Sequence, residues 1–324
     1  MATMIRRAFL LGAAGVATGG LPAHAAGYPA RPVKLVVPFA PAGPTDIMAR
    51  VVAAHLGERL GGSFFVENRP GAGGNIGAGV VAHADADGYT LLVTSSALVV
   101  NPGLYKRLSY DVFTDFAPIA ELGASPNVFL ADPKSGIASI PDLVARAKAD
   151  PAALSYASAG IGTTPHLSGE LLKVEAGIKM THVPFPGASP AIQALLSSTT
   201  QIACVSLPPA RPLIGSGALT ALAVTGPARW PDMPNVPNML ELGYAGFVTD
   251  TFQGFLAPAR TPPELVALLA ATALGILHDG AVRDQLQASG FEVLANGPDG
   301  MRRRIADEVP KWRDLVAKAG ISAV

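Results

Sequence analysis

Two turns in this sequence combine glycine, alanine and hydroxyl side chains in a pattern that suits anion binding. The Ala40 turn is A-P-A-G-P-T-D over Ala40–Asp46, and the Ser158 turn is S-A-G-I-G-T-T-P over Ser158–Pro165. Each follows an apolar run and precedes a predicted helix, where unpaired N–H groups and a partial positive charge favour an anion. Neither turn contains Lys or Arg. We hypothesise that the two turns face each other across a cleft and hold a small carboxylate.

Individual side chains in and near these turns have two interpretations each. Thr45 either contacts the ligand or only caps the helix that follows it. Asp46 would repel an acid placed directly on it, so we favour a role in the first turn of the helix over contact with a ligand amino group. Phe39 and Phe185 are either core residues or walls of the pocket.

Further candidates lie just past the third predicted strand, where open parallel sheets have their crevice. Ser95, Ser96 and Asn101 occupy this position, and a ligand role and ordinary turn capping are both open for them. The complete set of candidate ligand-binding residues is Phe39, Ala40, Ala42, Gly43, Thr45, Asp46, Ser95, Ser96, Asn101, Ser158, Ala159, Gly160, Gly162, Thr163, Thr164, His166, Phe185 and Ser206.

A glycine-rich stretch, Gly71–Gly79, raises the alternative of a nucleotide-binding loop. Its Gly73-x-x-x-Gly77-x-Gly79 spacing matches that of short-chain dehydrogenases. However, it follows the second predicted strand, no acidic strand end lies at the usual distance, and a phosphate-loop Gly-Lys-Ser/Thr is missing. We therefore expect no cofactor, and we interpret the stretch as a tight turn or as close packing against the neighbouring domain.

Catalytic and metal sites have little support in the sequence. No Gly-x-Ser-x-Gly elbow occurs, so a hydrolase using Ser95 or Ser158 is the less favoured alternative. His166 and His182 are interpreted as structural in preference to a catalytic base, although His166 stays in the candidate set. No His, Cys or carboxylate cluster has metal-like spacing. We expect no enzyme activity and no metal.

Apolar runs and helix-start signals alternate along the chain and predict an α/β protein with mostly parallel sheets flanked by helices. The predicted strands are Val33–Phe39, Ser63–Asn68, Thr90–Ser96, Leu154–Ser158, Met180–Phe185, Gln201–Ser206 and Thr220–Thr225. Helices are predicted after Thr45, following on from Gly71–Gly79, at Ser139–Lys148, from Thr164 and from Ser189, and over Pro208–Gly215, Pro262–His278, Ala281–Ala288 and Asp299–Ala319, with Pro310 kinking or starting the last.

The length of 324 residues suits two domains. Strand-like runs without a full helix between them suggest one crossing at Val128–Leu130 and a return at Thr251–Ala257. These two crossings predict a hinged clamshell. Domain 1 would comprise residues 27–129 and 251–324, and domain 2 residues 130–250.

Composition and the N-terminus bear on partners and location. Lys plus Arg and Asp plus Glu are both 24, so no basic field exists to attract nucleic acid. Residues 1–26 carry Arg6-Arg7, an apolar run and Ala23-His24-Ala25, a pattern typical of an export signal of the twin-arginine or the general secretory kind. The lone Cys204 is predicted to be a buried thiol. We expect a soluble, exported, periplasmic protein.

Several motifs in order along the mature chain carry a family resemblance. They are Y-P-A-R-P-V-K-L-V-V-P-F-A-P-A-G-P-T-D-I-M-A-R (Tyr28–Arg50), V-E-N-R-P-G-A-G-G-N-I-G (Val66–Gly77), D-G-Y-T-L-L (Asp87–Leu92), N-P-G-L-Y (Asn101–Tyr105), Y-A-S-A-G-I-G-T-T-P-H-L-S-G-E-L (Tyr156–Leu171), H-V-P-F-P-G-A-S-P-A (His182–Ala191) and L-A-P-A-R-T-P-P (Leu256–Pro263). Together they resemble the Bug-type substrate-binding proteins of tripartite tricarboxylate transporters.

This resemblance implies a two-domain periplasmic binding fold of the type II kind, monomeric, that closes on a small organic acid: a mono-, di- or tricarboxylate, an amino acid or an aromatic acid. It implies delivery to membrane transporter subunits or, in some members, to a signalling partner such as a sensor kinase. In that family the ligand carboxylate sits against the loop matching the Ala40 turn, often through ordered water. The loop matching Ser158–Thr164 closes from the other domain.

The sequence departs from the family pattern at two positions. The first loop usually has two glycines where Ala42-Gly43 stand, so its backbone must tolerate a Cβ at Ala42. Gln201 stands where an Asp is expected, after Ser197-Ser198-Thr199-Thr200 in place of a Gly-Gly-x-Val run. The first departure touches ligand geometry, whereas we interpret the second as structural.

Overall fold

The computed structural model describes residues 27–318 and 320–321, so the predicted export signal lies outside the described residues. The strands are β1 (Val33–Val37), β2 (Phe64–Asn68), β3 (Thr90–Ser95), β4 (Phe116–Ala131), β5 (Ser155–Ser158), β6 (Thr181–Pro184), β7 (Ile202–Ser206), β8 (Thr220–Val224), β9 (Asp250–Pro258) and β10 (Glu292–Asn296). The helices are α1 (Pro44–Leu60), α2 (Asn75–Ala82), α3 (Ala97–Leu104), α4 (Ile140–Ala149), α5 (Thr164–Ala176), α6 (Ala188–Leu196), α7 (Leu207–Gly215), α8 (Pro263–Leu277), α9 (Gly280–Ala288) and α10 (Pro298–Lys318).

Strand pairing forms two sheets that share the long strand β4. In the first sheet β2, β1 and β3 are parallel, and β9 lies antiparallel between β3 and Phe116–Pro126 of β4. In the second sheet β6, β5 and β7 are parallel, and β7 and β8 pair antiparallel with Asn127–Ala131 of β4. The predicted α/β fold with two flanked sheets is confirmed.

The chain crosses between the sheets at two neighbouring places. Strand β4 changes partners between Pro126 and Asn127, and β9 begins at Asp250, opposite Pro126. We call the first sheet with α1–α3 and α8–α10 the first half, and the second sheet with α4–α7 the second half. The observed change of partners lies two residues before the predicted crossing at Val128–Leu130, so we propose that the boundary predicted after residue 129 falls instead between Pro126 and Asn127.

Apolar side chains on both faces of each sheet account for the continuous apolar runs in the strands. In β1, Leu35 packs in a core with α1, α8 and α9, whereas Val36 packs on the other face with α2, α3 and α10. In β7, Cys204 faces the core under α4 and α5, and Val205 faces α6 and α7. Cys204 is therefore a buried thiol as predicted, and burial raises its pKa.

Two elements were not predicted. Helix α3 contains Pro102, a residue that normally argues against a helix, and its Ala97–Val100 turn is completely buried under α10. Strand β10 is only five residues long, none of them fully buried, and its apolar run is limited to Val293–Ala295, which is too short to predict a strand. In both elements tertiary packing, and not a local sequence pattern, determines the secondary structure.

Some helix starts are shifted from their predicted positions. Helix α1 begins at Pro44 with Gly43 as its N-cap, so Thr45 is not the cap. Helix α6 begins at Ala188, one residue before the predicted start, whereas α5 begins at Thr164 as predicted, after an N-cap at Thr163. Pro310 lies inside α10 and does not start it.

The apolar helices near the C-terminus pack on the first sheet. Leu265, Leu269 and Ile276 of α8 and Leu286 of α9 belong to the core that contains β1. None of the described helices is by itself long and apolar enough to cross a membrane. Helices α8 and α9, bent by 72° at their junction, satisfy that criterion only as a pair, by length and composition.

Candidate functional site

The Ala40 turn brings the N-terminus of α1 to the edge of the first sheet. Gly43 is the N-cap in an extended conformation, and Pro44 occupies the first helical position, where its missing N–H is no loss. Thr45 follows and is 1% exposed. The turn thus presents the start of a buried helix to the space between the two halves.

Asp46 holds this turn together from inside. Its carboxylate accepts from Ala42 N–H at 2.9 Å, from Arg50 at 2.8 and 2.9 Å, and from Asn68 Nδ2 at 2.9 Å. Burial opposes ionisation, but the hydrogen bonds from Arg50, Asn68 and Ala42 outweigh it and lower the pKa of Asp46. Asp46 lies in the first turn of α1, as predicted, and its oxygens accept hydrogen bonds from protein donors.

Ala42 has a backbone conformation that disfavours a side chain. Its φ is 58°, in the left-handed region that glycine adopts without penalty. The departure from two glycines noted in the sequence therefore falls on a position where glycine would be the natural residue. The Asp46 hydrogen bond to Ala42 N–H fixes the turn in this conformation.

The Ser158 turn brings the N-terminus of α5 to the same space from the second half. Thr163 Oγ1 donates to Gly160 O at 2.7 Å and accepts from His166 N–H at 3.4 Å, which caps the helix. Gly160 and Gly162 have φ values of 126° and 85°. A Cβ on Gly162 would stand 2.1 Å from Asn101 Oδ1, so this position also requires glycine for close approach to α3.

Three stacked rings lie behind the Ser158 turn. His182 stacks between Tyr156 and His166, with ring centroids 4.8 and 4.3 Å apart. Burial, reinforced by neighbouring positive groups, lowers the pKa of His182 to about 3, and burial lowers that of His166 to about 4. Both imidazoles are neutral near pH 7, and the stack acts as a rigid support for the turn.

A serine–histidine pair exists but faces the interior. Ser158 Oγ and His182 Nε2 are 2.7 Å apart, and the same hydroxyl accepts from Gly160 N–H at 3.2 Å. Ser158 is 0% exposed and borders neither cavity described below. The pair orders the turn, which is the structural role interpreted for His182.

The two halves touch around the turns. Ala40 N–H donates to Pro186 O at 3.0 Å, and the Tyr105 hydroxyl donates to Ile161 O at 3.3 Å. A Cβ on Gly73 would stand 2.1 Å from Ile161 O. The interpretation of Gly71–Gly79 as close packing against the neighbouring half is confirmed.

Two adjacent cavities lie between the halves and share Phe39 and Ala159 as walls. The larger, which we call the cleft cavity, has a volume of about 250 Å³ and is lined by Phe39, Gly71, Ala72, Gly73, Gly74, Tyr105, Ala159, Gly160, Ile161, Pro184, Phe185 and Pro186. The smaller, the hydroxyl cavity, has a volume of about 20 Å³ and is lined by Phe39, Gly43, Pro44, Thr45, Ser95, Ala159, Thr163, Pro165, Ala188, Ser206 and Thr251.

The candidate residues fall into two groups around these cavities. Those that line a cavity are Phe39, Gly43, Thr45, Ser95, Ala159, Gly160, Thr163, Phe185 and Ser206. Those that stand outside both linings are Ala40, Ala42, Asp46, Ser96, Asn101, Ser158, Gly162, Thr164 and His166.

Members of the second group support the site through hydrogen bonds. Ser96 Oγ accepts from Phe252 N–H at 2.8 Å, and Thr164 Oγ1 lies 2.7 Å from Thr251 Oγ1. Asn101, inside α3, donates to Gly73 O at 3.0 Å. Gln201, the second departure noted in the sequence, accepts from Ser155 N–H at 3.0 Å, away from both cavities, in line with a structural role.

The other residues that line the cavities are absent from the candidate set. They are Pro44, Gly71–Gly74, Tyr105, Ile161, Pro165, Pro184, Pro186, Ala188 and Thr251. Gly71–Gly74 and Tyr105 lie in motifs that carry the family resemblance, so their positions in those motifs were the available signal. Within the described residues, no group of three or more His, Cys, Asp or Glu side chains is placed to hold a metal ion.

Two sheets joined by a shared strand, with two helix N-termini meeting at a cavity between them, define a solute-binding protein of the periplasmic binding class. The chain belongs to the tripartite tricarboxylate transporter family of receptors, whose family model matches residues 48–321. The resemblance drawn from the motifs is thereby confirmed. Proteins of this family are solute receptors and not enzymes.

Comparisons with individual proteins agree with this assignment. BugT of Bordetella pertussis is 37% identical over 309 residues, which are 94% of this chain and 95% of BugT. Rpa4515 of R. palustris, solved with adipate, is 34% identical with a TM-score of 0.89, covering 92% of this chain and 100% of that one. MatC of Rhodopseudomonas palustris, solved with malate, is 33% identical with a TM-score of 0.85, covering 89% and 100%.

Proposed function

We propose that this protein is an extracytoplasmic receptor that binds a small organic carboxylate between its two halves and delivers it to a tripartite tricarboxylate-type transporter. One observation carries the proposal: the N-termini of α1 and α5 border the same hydroxyl cavity, through Thr45 and Thr163. Helix N-termini supply N–H donors and partial positive charge. Among the described residues, no Lys or Arg lines either cavity.

Ordered water has a natural place in this arrangement. The hydroxyl cavity, at about 20 Å³, has room for about one water molecule, and Thr45, Ser95 and Ser206 are among the hydroxyl-bearing candidates in its lining. The carboxylate then lies in the cleft cavity beside Phe39 and Ala159 and reaches the helix N-termini through that water. Water-mediated hydrogen bonds of this kind are nearly as favourable as direct ones.

A ligand that touches both halves shifts the equilibrium between open and closed forms by its differential affinity for them. A membrane partner then recognises the closed form. Adipate in Rpa4515 and malate in MatC support a carboxylate as the ligand class. The predicted export signal of residues 1–26 supports a periplasmic location, and we propose that the receptor is a monomer.

An alternative output on the same fold is contact with a sensor kinase without transport. Genomic neighbours distinguish the two outputs, since adjacent transporter genes favour uptake and an adjacent two-component system favours sensing. Both outputs share the binding site proposed above, so the binding test comes first.

The binding proposal is tested by a thermal-shift screen of organic acids against the mature protein, together with mass spectrometry of any co-purifying ligand. At least one mono-, di- or tricarboxylate, amino acid or aromatic acid should raise the melting temperature. A screen in which none of these does so would contradict the proposal.

The hydroxyl cavity is tested by the substitution Thr45→Val. Val keeps the shape of Thr but removes the hydroxyl that would hold the bridging water, and an ordinary hydrogen bond contributes about 0.5–1.5 kcal/mol, so affinity should fall about two- to tenfold by calorimetry. Thr181→Val, on the exposed start of β6, is the matched control and should leave affinity unchanged. Equal affinity of the Thr45 variant and the parent protein would remove Thr45 from the site.

A further inference from the structure

We infer that the ligand is a monocarboxylate whose remaining part is uncharged and apolar, either an aromatic acid or a compact aliphatic acid. This inference rests on the proposed carboxylate function and names the ligand class within it. It comes from the walls of the cleft cavity, where the part of the ligand beyond its first carboxylate must lie.

The side chains that line the cleft cavity are apolar apart from the Tyr105 hydroxyl. Its bulky side chains are Phe39, Tyr105, Ile161, Pro184, Phe185 and Pro186, and the rest of the lining is glycine and alanine. Such walls favour an apolar ligand surface, because burying it removes apolar area from water on both sides.

The one ionisable side chain in the lining stays neutral. Burial raises the pKa of Tyr105, and its hydroxyl is already committed to Ile161 O at 3.3 Å. Arg50, the cation nearest to the Ala40 turn along the chain, is paired with Asp46 and does not line the cavity. The N-termini of α1 and α5 are engaged by the first carboxylate, so a second carboxylate in the cavity would lose its hydration without gaining a cation or either of these helix N-termini.

The size of the cavity agrees with a small ligand. An apolar cavity of roughly 150 Å³ admits benzene, and drug-sized ligands need about 300–1,000 Å³. The cleft cavity, at about 250 Å³, lies between these values. It suits one aromatic ring, or a short aliphatic chain, with its carboxylate directed toward Phe39 and Ala159.

This ligand class differs from that of two structural relatives. Rpa4515 was solved with adipate and MatC with malate, and both acids carry two carboxylates. This protein should instead discriminate against the second carboxylate.

Calorimetry on the mature protein with matched acids tests the inference. The pairs are hexanoate with adipate, and benzoate with terephthalate, because each pair differs by one carboxylate on the same skeleton. In at least one pair the monocarboxylate should bind at least tenfold more tightly than the dicarboxylate of the same pair. Tighter or equal binding of the dicarboxylates would overturn the inference and leave the carboxylate receptor intact. Binding of none of the four acids, with none found in the wider screen, would overturn both.

The substitution Phe185→Arg tests the position of the apolar end. A cation on this wall should lower affinity for the preferred monocarboxylate at least tenfold and shift the ratio of affinities toward its dicarboxylate partner. Phe113→Arg is the matched control, since Phe113 is 54% exposed and distant from the lining, and it should leave the ratio unchanged. Phe185→Leu, which keeps the wall apolar, should keep the monocarboxylate preference. A ratio that Phe185→Arg does not move would overturn the inference, and circular dichroism establishes that each variant is folded.

Discussion

Ala42 shows how one residue can hold a binding turn in a conformation that its own side chain disfavours. Its left-handed backbone, at φ 58°, costs about 1–2 kcal/mol for a residue with a Cβ. The Asp46 carboxylate compensates by accepting the Ala42 N–H, and Asp46 is in turn held by Arg50 and Asn68. The geometry of the turn therefore depends on this buried carboxylate and not on glycine.

The substitution Ala42→Gly should stabilise the protein by about 1 kcal/mol, because glycine adopts this backbone without strain. Urea denaturation measures the change, and ligand affinity should stay within a few-fold of the parent value. Ala54→Gly, at an exposed position inside α1, is the control and should destabilise by about 1 kcal/mol. If both variants lose stability alike, the left-handed conformation of Ala42 would be refuted.

The ring stack of Tyr156, His182 and His166 acts at the scale of elements, because it ties β5, β6 and α5 together behind the Ser158 turn. The buried histidines have lowered pKa values, so the unfolded chain takes up protons before the folded protein does as pH falls below about 6.5. Stability should therefore decline between about pH 6.5 and pH 3.

The substitution His182→Gln should flatten this decline. The difference in unfolding free energy between pH 7 and pH 4.5 should shrink by roughly 2 kcal/mol, because one depressed pKa is removed from the linkage. Urea denaturation at the two pH values measures it. His278→Gln, exposed at the end of α8, serves as the control and should reproduce the parent difference. An unchanged difference in the His182 variant would show that this ring does not set the pH dependence.

Elements with local signals could be predicted from sequence, and those that depend on distant packing could not. Helix α4 was predicted because Ser139 caps it and Pro141 occupies its first turn, and the structure shows both. Helix α3 was missed because Pro102 argues against a helix locally, whereas burial under α10 stabilises the helix in the folded protein.

In the site, the turns before α1 and α5 were found by their helix-start residues. Tyr105 was not, since it meets Ile161 of the Ser158 turn only through contact between the halves.

At the scale of the whole molecule, the two halves meet through turns that leave no room for extra atoms. Gly187, before α6, packs on Ala40, and a Cβ there would stand 2.9 Å from Ala40 Cβ. Its φ of 165° is extended backbone that any residue adopts, so a substitution tests closure and not backbone strain. Contact between the halves is what the proposed receptor function requires of a closed form.

The substitution Gly187→Ala should hinder closure. Ligand affinity should fall about tenfold, and the ligand-bound protein should keep a larger radius of gyration by small-angle X-ray scattering, because the halves cannot approach fully. Gly280→Ala, where a Cβ meets nothing within 4 Å, is the control and should change neither quantity. Full affinity in the Gly187 variant would mean that this contact is not part of the bound form.

The sharing of β4 and the late position of β9 have a consequence for the order of folding. Leu92 in β3 pairs with Leu256 in β9, so the first sheet cannot be completed until most of the chain has left the ribosome. The second sheet draws β5 to β8 from one continuous segment. Contacts distant in sequence form slowly because loop closure comes first. In pulsed hydrogen exchange during refolding, amides of β5 and β7 should be protected before those of β3 and β9, and the reverse order would show that the interrupted half nucleates folding.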